Sequence, residues 1–168
     1  MGMVQLGVLL MINRDTYDRL RTSEAYADEF FLNVLTRSHP DLVHLEQDWA
    51  GLQYLLTEYQ RHTPALQTLA LSDLVTGKQY LQPGYDLGYG PVGDLSCQQV
   101  QALNSVLHRV SPAGVRDHFD PPRMNQQGVY PQYWEAQHWE ILWNAISAIR
   151  RFYHRAAIQS RAVLAFRY

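Results

Sequence analysis

Apolar positions fall along the chain with two different periods. Gly2 to Ile12 carries Val4, Leu6, Val8, Leu9, Leu10, Met11 and Ile12, a nearly unbroken run of strand length. It predicts a strand covered on both faces. Asn13 offers an N-cap, and Asp15, Thr16 and Tyr17 open a short helix toward Arg21. A second helix is expected from Ser23, with Ala27, Phe30, Phe31, Val34 and Leu35 on one face. Ser38-His39-Pro40-Asp41 ends it, because proline disfavours helical geometry in the residue before it. From Asp41 to Gln60, Leu42, Leu45, Trp49, Leu52, Leu56 and Tyr59 recur at steps of three and four. That stripe predicts one continuous amphipathic helix.

The second half is punctuated more heavily. Between Pro64 and Thr76-Gly77, Leu66, Leu69, Leu71, Leu74 and Val75 fit helix and strand equally well. Pro83 to Asp94 concentrates glycine and proline and reads as a loop held by turns. Ser96 and Gln99 form a capping box, ahead of a helix with Val100, Leu103, Leu107 and Val110 on its stripe. Ser111-Pro112 and Asp120-Pro121-Pro122 each pair a cap with proline at the first helical position. Gly128 is placed to close the second of these short helices in a left-handed turn. The longest helix is expected from Glu135 to Gln159, lined by Trp139, Leu142, Trp143, Ile146, Ile149, Tyr153 and Ala156. Arg161 to Arg167 alternates as a strand does. Pairing of the first and last strands in one small sheet, with helices covering it, gives an α+β, helix-rich domain.

Composition narrows this further. The chain has 168 residues, 46% apolar and 18% charged, enough for one domain over residues 1–168 with its own core. Fourteen basic against sixteen acidic residues leave a net charge of −2, without the basic field of a general nucleic-acid or membrane binder. Cys97 is the sole cysteine, so no intrachain disulfide and no cysteine-based zinc site can form. The apolar start lacks a basic flank and is too short to span a bilayer, so a cytoplasmic location is expected.

Four segments carry a resemblance. They are Met1-Gly2-Met3 before the first strand, Leu45 to Thr57 with Glu46-Gln47-Asp48-Trp49, and Leu87-Gly88-Tyr89-Gly90-Pro91. The fourth is Phe119 to Asn125 with Gly128-Val129-Tyr130-Pro131, joined by Phe152 to Ala157 near the end. In this the chain resembles the bacterial YfbM-like family, across nearly its whole length. One departure is Gln53, where the family pattern suggests a histidine. The resemblance implies an α+β fold and no chemistry, since the family has no established activity.

Candidate chemistry is sparse. His44 and Asp48 share a helical face if that segment is helical, with Glu46 nearby, but zinc needs a third ligand. No metal site and no cofactor are expected. Gly84, Gly88 and Gly90 do not match a dinucleotide fingerprint, and Asp86 and Asp94 would repel phosphate. No serine elbow supports a hydrolase, and His118 beside Asp117 and Asp120 has no nucleophile to serve. Arg150, Arg151 and Arg155 form a basic band suited to gripping an acidic partner. What helical periodicity leaves unexplained is a set of aromatics in irregular segments: Tyr85, Tyr89, Tyr130, Tyr133 and Trp134. Arg123 stands close by in sequence and can stack or form bidentate contacts.

The expectation is therefore a non-enzymatic protein-binding module of the bacterial cytosol, using those aromatics, Arg123, Asp120 and Asp48. Its specific form is an immunity protein that neutralises a cognate toxin domain. The competing expectation is a small-ligand-binding protein or enzyme with a pocket between loop 83–94 and the aromatic turn 130–134. There Asp48, Tyr89, Asp120, Arg123 and Tyr130 would converge. Nucleic acid and membrane are not expected as partners.

Overall fold

The two apolar ends of the chain lie side by side in the computed structural model, which describes residues 4–168. Strand β1 (Gly7–Ile12) pairs antiparallel with β5 (Ala162–Arg167), in register from Gly7 opposite Arg167 to Ile12 opposite Ala162. Every residue of β1 is buried. The alternation of a strand sends Leu9, Met11, Val163 and Ala165 into one core, and Val8, Leu10, Ile12, Leu164 and Phe166 into another. The chain is an α+β domain: β2 (Leu42–Glu46) lies outside β1, and β4 (Gly93–Leu95) then β3 (Gln79–Tyr80) lie outside β5, so the sheet runs β2-β1-β5-β4-β3 with every neighbouring pair antiparallel.

Helices cover both faces. Helix α1 (Arg14–Thr22) and α2 (Glu24–Thr36) close the second core through Tyr17, Leu20, Ala27, Phe31 and Val34. Asn13 and Ser23 cap them, accepting the amides of Thr16 and Tyr26. The first core lies under α3 (Trp49–Arg61), α5 (Cys97–Leu107) and α8 (His138–Ile158). Ser96 and Gln99 make the reciprocal capping box at α5.

The helix expected over Asp41–Gln60 divides in two. Leu42–Glu46 is strand β2, pairing with β1 through Leu10 opposite Leu42, Leu9 opposite Val43 and Val8 opposite His44. The Asp48 amide donates to the Leu45 carbonyl, and Glu46 turns the chain with a left-handed φ of 49° before α3 starts. Leu42 and Leu45 are three apart, so they satisfy a helical stripe on paper. Pairing satisfies the backbone of β1 on its outer side, an advantage no local period records.

The undecided segment 64–76 is a single 3-10 turn (Pro64–Leu66) followed by α4 (Asp73–Thr76). Gln60 supplies its missing ladder: Oε1 accepts the Leu71 amide at 2.8 Å, and the side-chain amide donates to the Leu66 and Leu69 carbonyls. The glycine loop is shorter than its composition suggests. β3 (Gln79–Tyr80) precedes it, and its last residues enter β4 (Gly93–Leu95), which pairs with β5. Short helices α6 (Pro112–Arg116) and α7 (Pro121–Gln126) sit where the caps place them, with Gly128 at φ 71° after α7. Helix α8 starts at His138 rather than Glu135, because residues 129–137 are taken up by the aromatic turn.

Candidate functional site

The glycine loop and the aromatic turn do meet, through a stack of side chains at the N-terminal end of α3. The Tyr130 ring stacks on the Trp49 indole at 5.9 Å between centroids, and the Arg167 guanidinium lies over the same indole at 4.8 Å. Gly90, with φ 108°, borders Arg167; a side chain there would collide with Nη2. Gly7 is as close on the other side, where a Cβ would stand 2.6 Å from that of Trp49. The loop is held in this position by Asp86, whose Oδ1 accepts the amides of Gly88 at 2.5 Å and Gly90 at 3.1 Å. Tyr130 is anchored in turn by the Gln5 amide, which donates to its hydroxyl at 3.0 Å.

Beside this stack lies a crevice lined by Gly7, Trp49, Thr76, Pro91 and Arg167, with a volume of about 30 Å³. That is space for a water-sized guest, far below the several hundred Å³ of a typical substrate pocket. The Trp49 Nε1 is buried without a hydrogen-bond acceptor. Arg167 has no carboxylate partner among the described residues.

The rim of the turn carries further polar groups. Tyr133, 54% exposed, donates its hydroxyl to Gln47 Oε1 at 2.7 Å, joining the turn to the segment before α3. Asp48, half-buried there, has its carboxyl raised above the usual range by loss of solvent; His138 opposes the shift and Glu46 adds to it. His138 packs edge-on against Trp134 at 5.6 Å. Two left-handed residues outside glycine, Glu46 and Gln132, sit on the two segments that Tyr133 and Gln47 join.

The remaining sequence candidates separate. Trp134 is 3% exposed: its indole donates to the Val129 carbonyl, Asn125 clasps its backbone at both ends, and its ring fills the space left by Gly51. Tyr85 is buried on the opposite side of the sheet against Phe31 and donates to Asp28. Tyr89 is half-buried in the loop. Asp120 caps α7, and Arg123 reaches Glu58 at 3.7 Å, toward the other end of α3. So Asp48, Tyr130 and Tyr133 gather at one end of α3 and Asp120 and Arg123 at the other. His44 and Asp48, read as helical neighbours, lie on a strand and at a helix start respectively.

Three features escaped the sequence reading. Trp49 has the spacing of a core residue and Arg167 that of a strand residue, yet they form the centre of the stack. Asp94, counted as a loop charge, is a fully buried carboxylate on β4, accepting from the Tyr17 hydroxyl and Arg21 Nη1 at 3.3 Å each. Glu58, 5% exposed, holds Arg61 at 2.5 Å beside Arg123. Among the described residues, no group of three or more histidine, cysteine or acidic side chains could hold a metal ion, and no helix is long and apolar enough to cross a membrane.

A family described as a domain of unknown function, DUF1877, matches residues 1–166. The crystal structure of a protein of unknown function, YfbM from Escherichia coli, superposes with a TM-score of 0.72 at 20% identity, covering 95% of this chain and 98% of that one. That likeness is one of fold. No curated protein matches the chain.

Proposed function

The chain belongs to the DUF1877 family of domains of unknown function, and from that premise we propose that it works as a non-enzymatic protein-binding module. The observation that supports this is an open groove along α2, lined by Arg19, Tyr26, Glu29, Phe30, Arg37 and His39 among others, with a volume of about 450 Å³. Leu32 and Leu35 on the same helix are 65% and 43% exposed. A wide, open, partly apolar groove suits the surface of another protein, whereas a small molecule is held by enclosure. The aromatic turn contributes less than its composition promised, since Tyr133 is its one large aromatic that is mostly exposed.

In the narrower form of this reading the partner is a toxin domain, which the chain neutralises as an immunity protein would. Arg19 and Arg37 outnumber Glu29 in the groove, which favours a partner with an acidic face. Co-expression with the products of adjacent genes, followed by size-exclusion chromatography with light scattering, tests the reading. A stoichiometric complex is expected. Protein that elutes alone in every pairing overturns it.

A second reading, a small-ligand site at the Trp49 crevice, is supported by the buried Trp49 Nε1, which has no acceptor, beside the Arg167 guanidinium. Its guest would be a small anion no larger than formate. Titration with formate, followed by tryptophan fluorescence, would show saturation in wild type and none in Arg167→Gln.

A further inference from the structure

We propose that the outer edge of β2 is a docking site for an extended, acidic segment of a partner protein, which would add to the sheet as a strand beside β2. This rests on the protein-binding reading above and names the partner's chemistry.

The backbone points to it first. β2 is a terminal strand of the sheet, with no strand beyond it among the described residues. The Met11 amide donates to the Asp41 carbonyl at 3.1 Å, and Leu9 lies opposite Val43. Antiparallel alternation therefore turns the polar backbone groups of Leu42 and His44 away from β1. The Leu42 amide is taken by the His39 carbonyl. Left facing outward are the Leu42 carbonyl and both backbone groups of His44, the pattern an incoming strand needs.

The side chains continue the argument. An added strand sends alternate residues to opposite faces of the sheet, and β2 has a groove on each. On the α2 side, Leu35, Arg37, His39, Leu42 and His44 line a groove of about 230 Å³. On the α8 side, Val43, Ala148, Arg151, Phe152 and Arg155 line one of about 330 Å³. Each groove combines apolar walls with arginine, and no acidic side chain lines either one. Asp41, already shared with Arg155 at 3.5 Å, and the exposed Glu46 stand at the two ends of β2, outnumbered by Arg37, Arg151 and Arg155. In a chain of net charge −2 this edge is locally basic. It selects aspartate and glutamate in the incoming strand, and it disfavours a second copy of β2, which would set arginine against arginine.

The experiment uses the full chain and a short fluorescein-labelled peptide alternating valine or isoleucine with aspartate or glutamate, read by fluorescence anisotropy. Saturable binding is expected. It should weaken at least about tenfold in Arg37→Glu/Arg151→Glu and with rising salt. A peptide with lysine and arginine in place of its acids should not bind. His44→Pro removes an outward amide, a position where an edge strand tolerates proline, and should lose binding while melting near wild type. A peptide N-methylated at alternate amides, tested on wild type, should lose it equally.

Binding indifferent to both His44→Pro and N-methylation would overturn strand addition, as would no binding at about millimolar peptide. A co-expressed complex that survives His44→Pro and Arg37→Glu/Arg151→Glu would overturn this site while the protein-binding reading stands. Peptide binding that behaves as expected, with no complex from any neighbouring product, would remove the toxin-partner form of that reading and leave the site.

Discussion

Tyr85 illustrates how a residue's environment overrides its setting in sequence. It lies in a glycine-rich loop, yet its ring packs against Phe31 and its hydroxyl donates to Asp28 at 3.1 Å. Burial, with the Asp28 carboxylate adding to it, pushes its phenol up to about 12. Tyr85→Phe is expected to cost about 1 kcal/mol, the net worth of one such hydrogen bond, and to remove one late-ionising component from an ultraviolet pH titration. Glu46 is the opposite case, an exposed residue held at φ 49° by the turn from β2 into α3. A left-handed conformation costs a residue with a side chain roughly 1–2 kcal/mol. Glu46→Gly should therefore stabilise the fold by up to about 1 kcal/mol after glycine's larger unfolded-state entropy is subtracted, read as a higher urea midpoint.

Among elements, the contact between α3 and the aromatic turn fixes the candidate site. Gly51 permits it: a Cβ there would overlap the six-membered ring of Trp134 and stand 3.2 Å from Leu142. Gly51→Ala is expected to destabilise by about 1–3 kcal/mol, the usual range for overpacking a core. Displacing the indole should also move tryptophan emission to the red. The turn's place against α3 was invisible in the sequence, where Gly51 reads as a weak point in a helix. The N-caps, capping box and proline starts were legible, because each acts within four residues of itself. The start of α3 was not, because Leu42, Leu45 and Trp49 satisfy a helical stripe whether or not Leu42–Glu46 joins a sheet. Trp49 and Arg167 were missed as site residues for the same reason. They are 118 positions apart in sequence and meet only because β5 lies beside β1.

For the molecule as a whole, buried carboxylates set an acid-side behaviour that differs from the usual one. Asp48, Asp73 and Asp94 all have carboxyls raised above the ordinary value of 3.8, in each case chiefly by burial. A raised folded-state pKa means that the native state holds the proton more tightly than the unfolded chain. The contribution of these groups to stability is then greatest at low pH and declines as pH rises from about 4 through their folded-state pKa values. Asp94→Asn removes the ionisation and keeps an acceptor for Tyr17. Its stability relative to wild type, from urea melts, should therefore rise between about pH 4 and 7; a difference that does not change across that range would sink the account.

By itself the sequence determined the α+β class, the two terminal strands and their pairing, most helix boundaries, and the family likeness that later matched residues 1–166. Those follow from side-chain period and local capping, which are written into neighbouring residues. Tertiary structure alone decided that Leu42–Glu46 is a strand, that Tyr85 and Trp134 belong to cores, and that Asp94 is buried. It also put Arg37, Arg151 and Arg155 on two sides of one open edge. The physical reason is the same throughout. Which face a side chain shows, and which backbone groups stay unpaired, depend on the partner an element finds far along the chain.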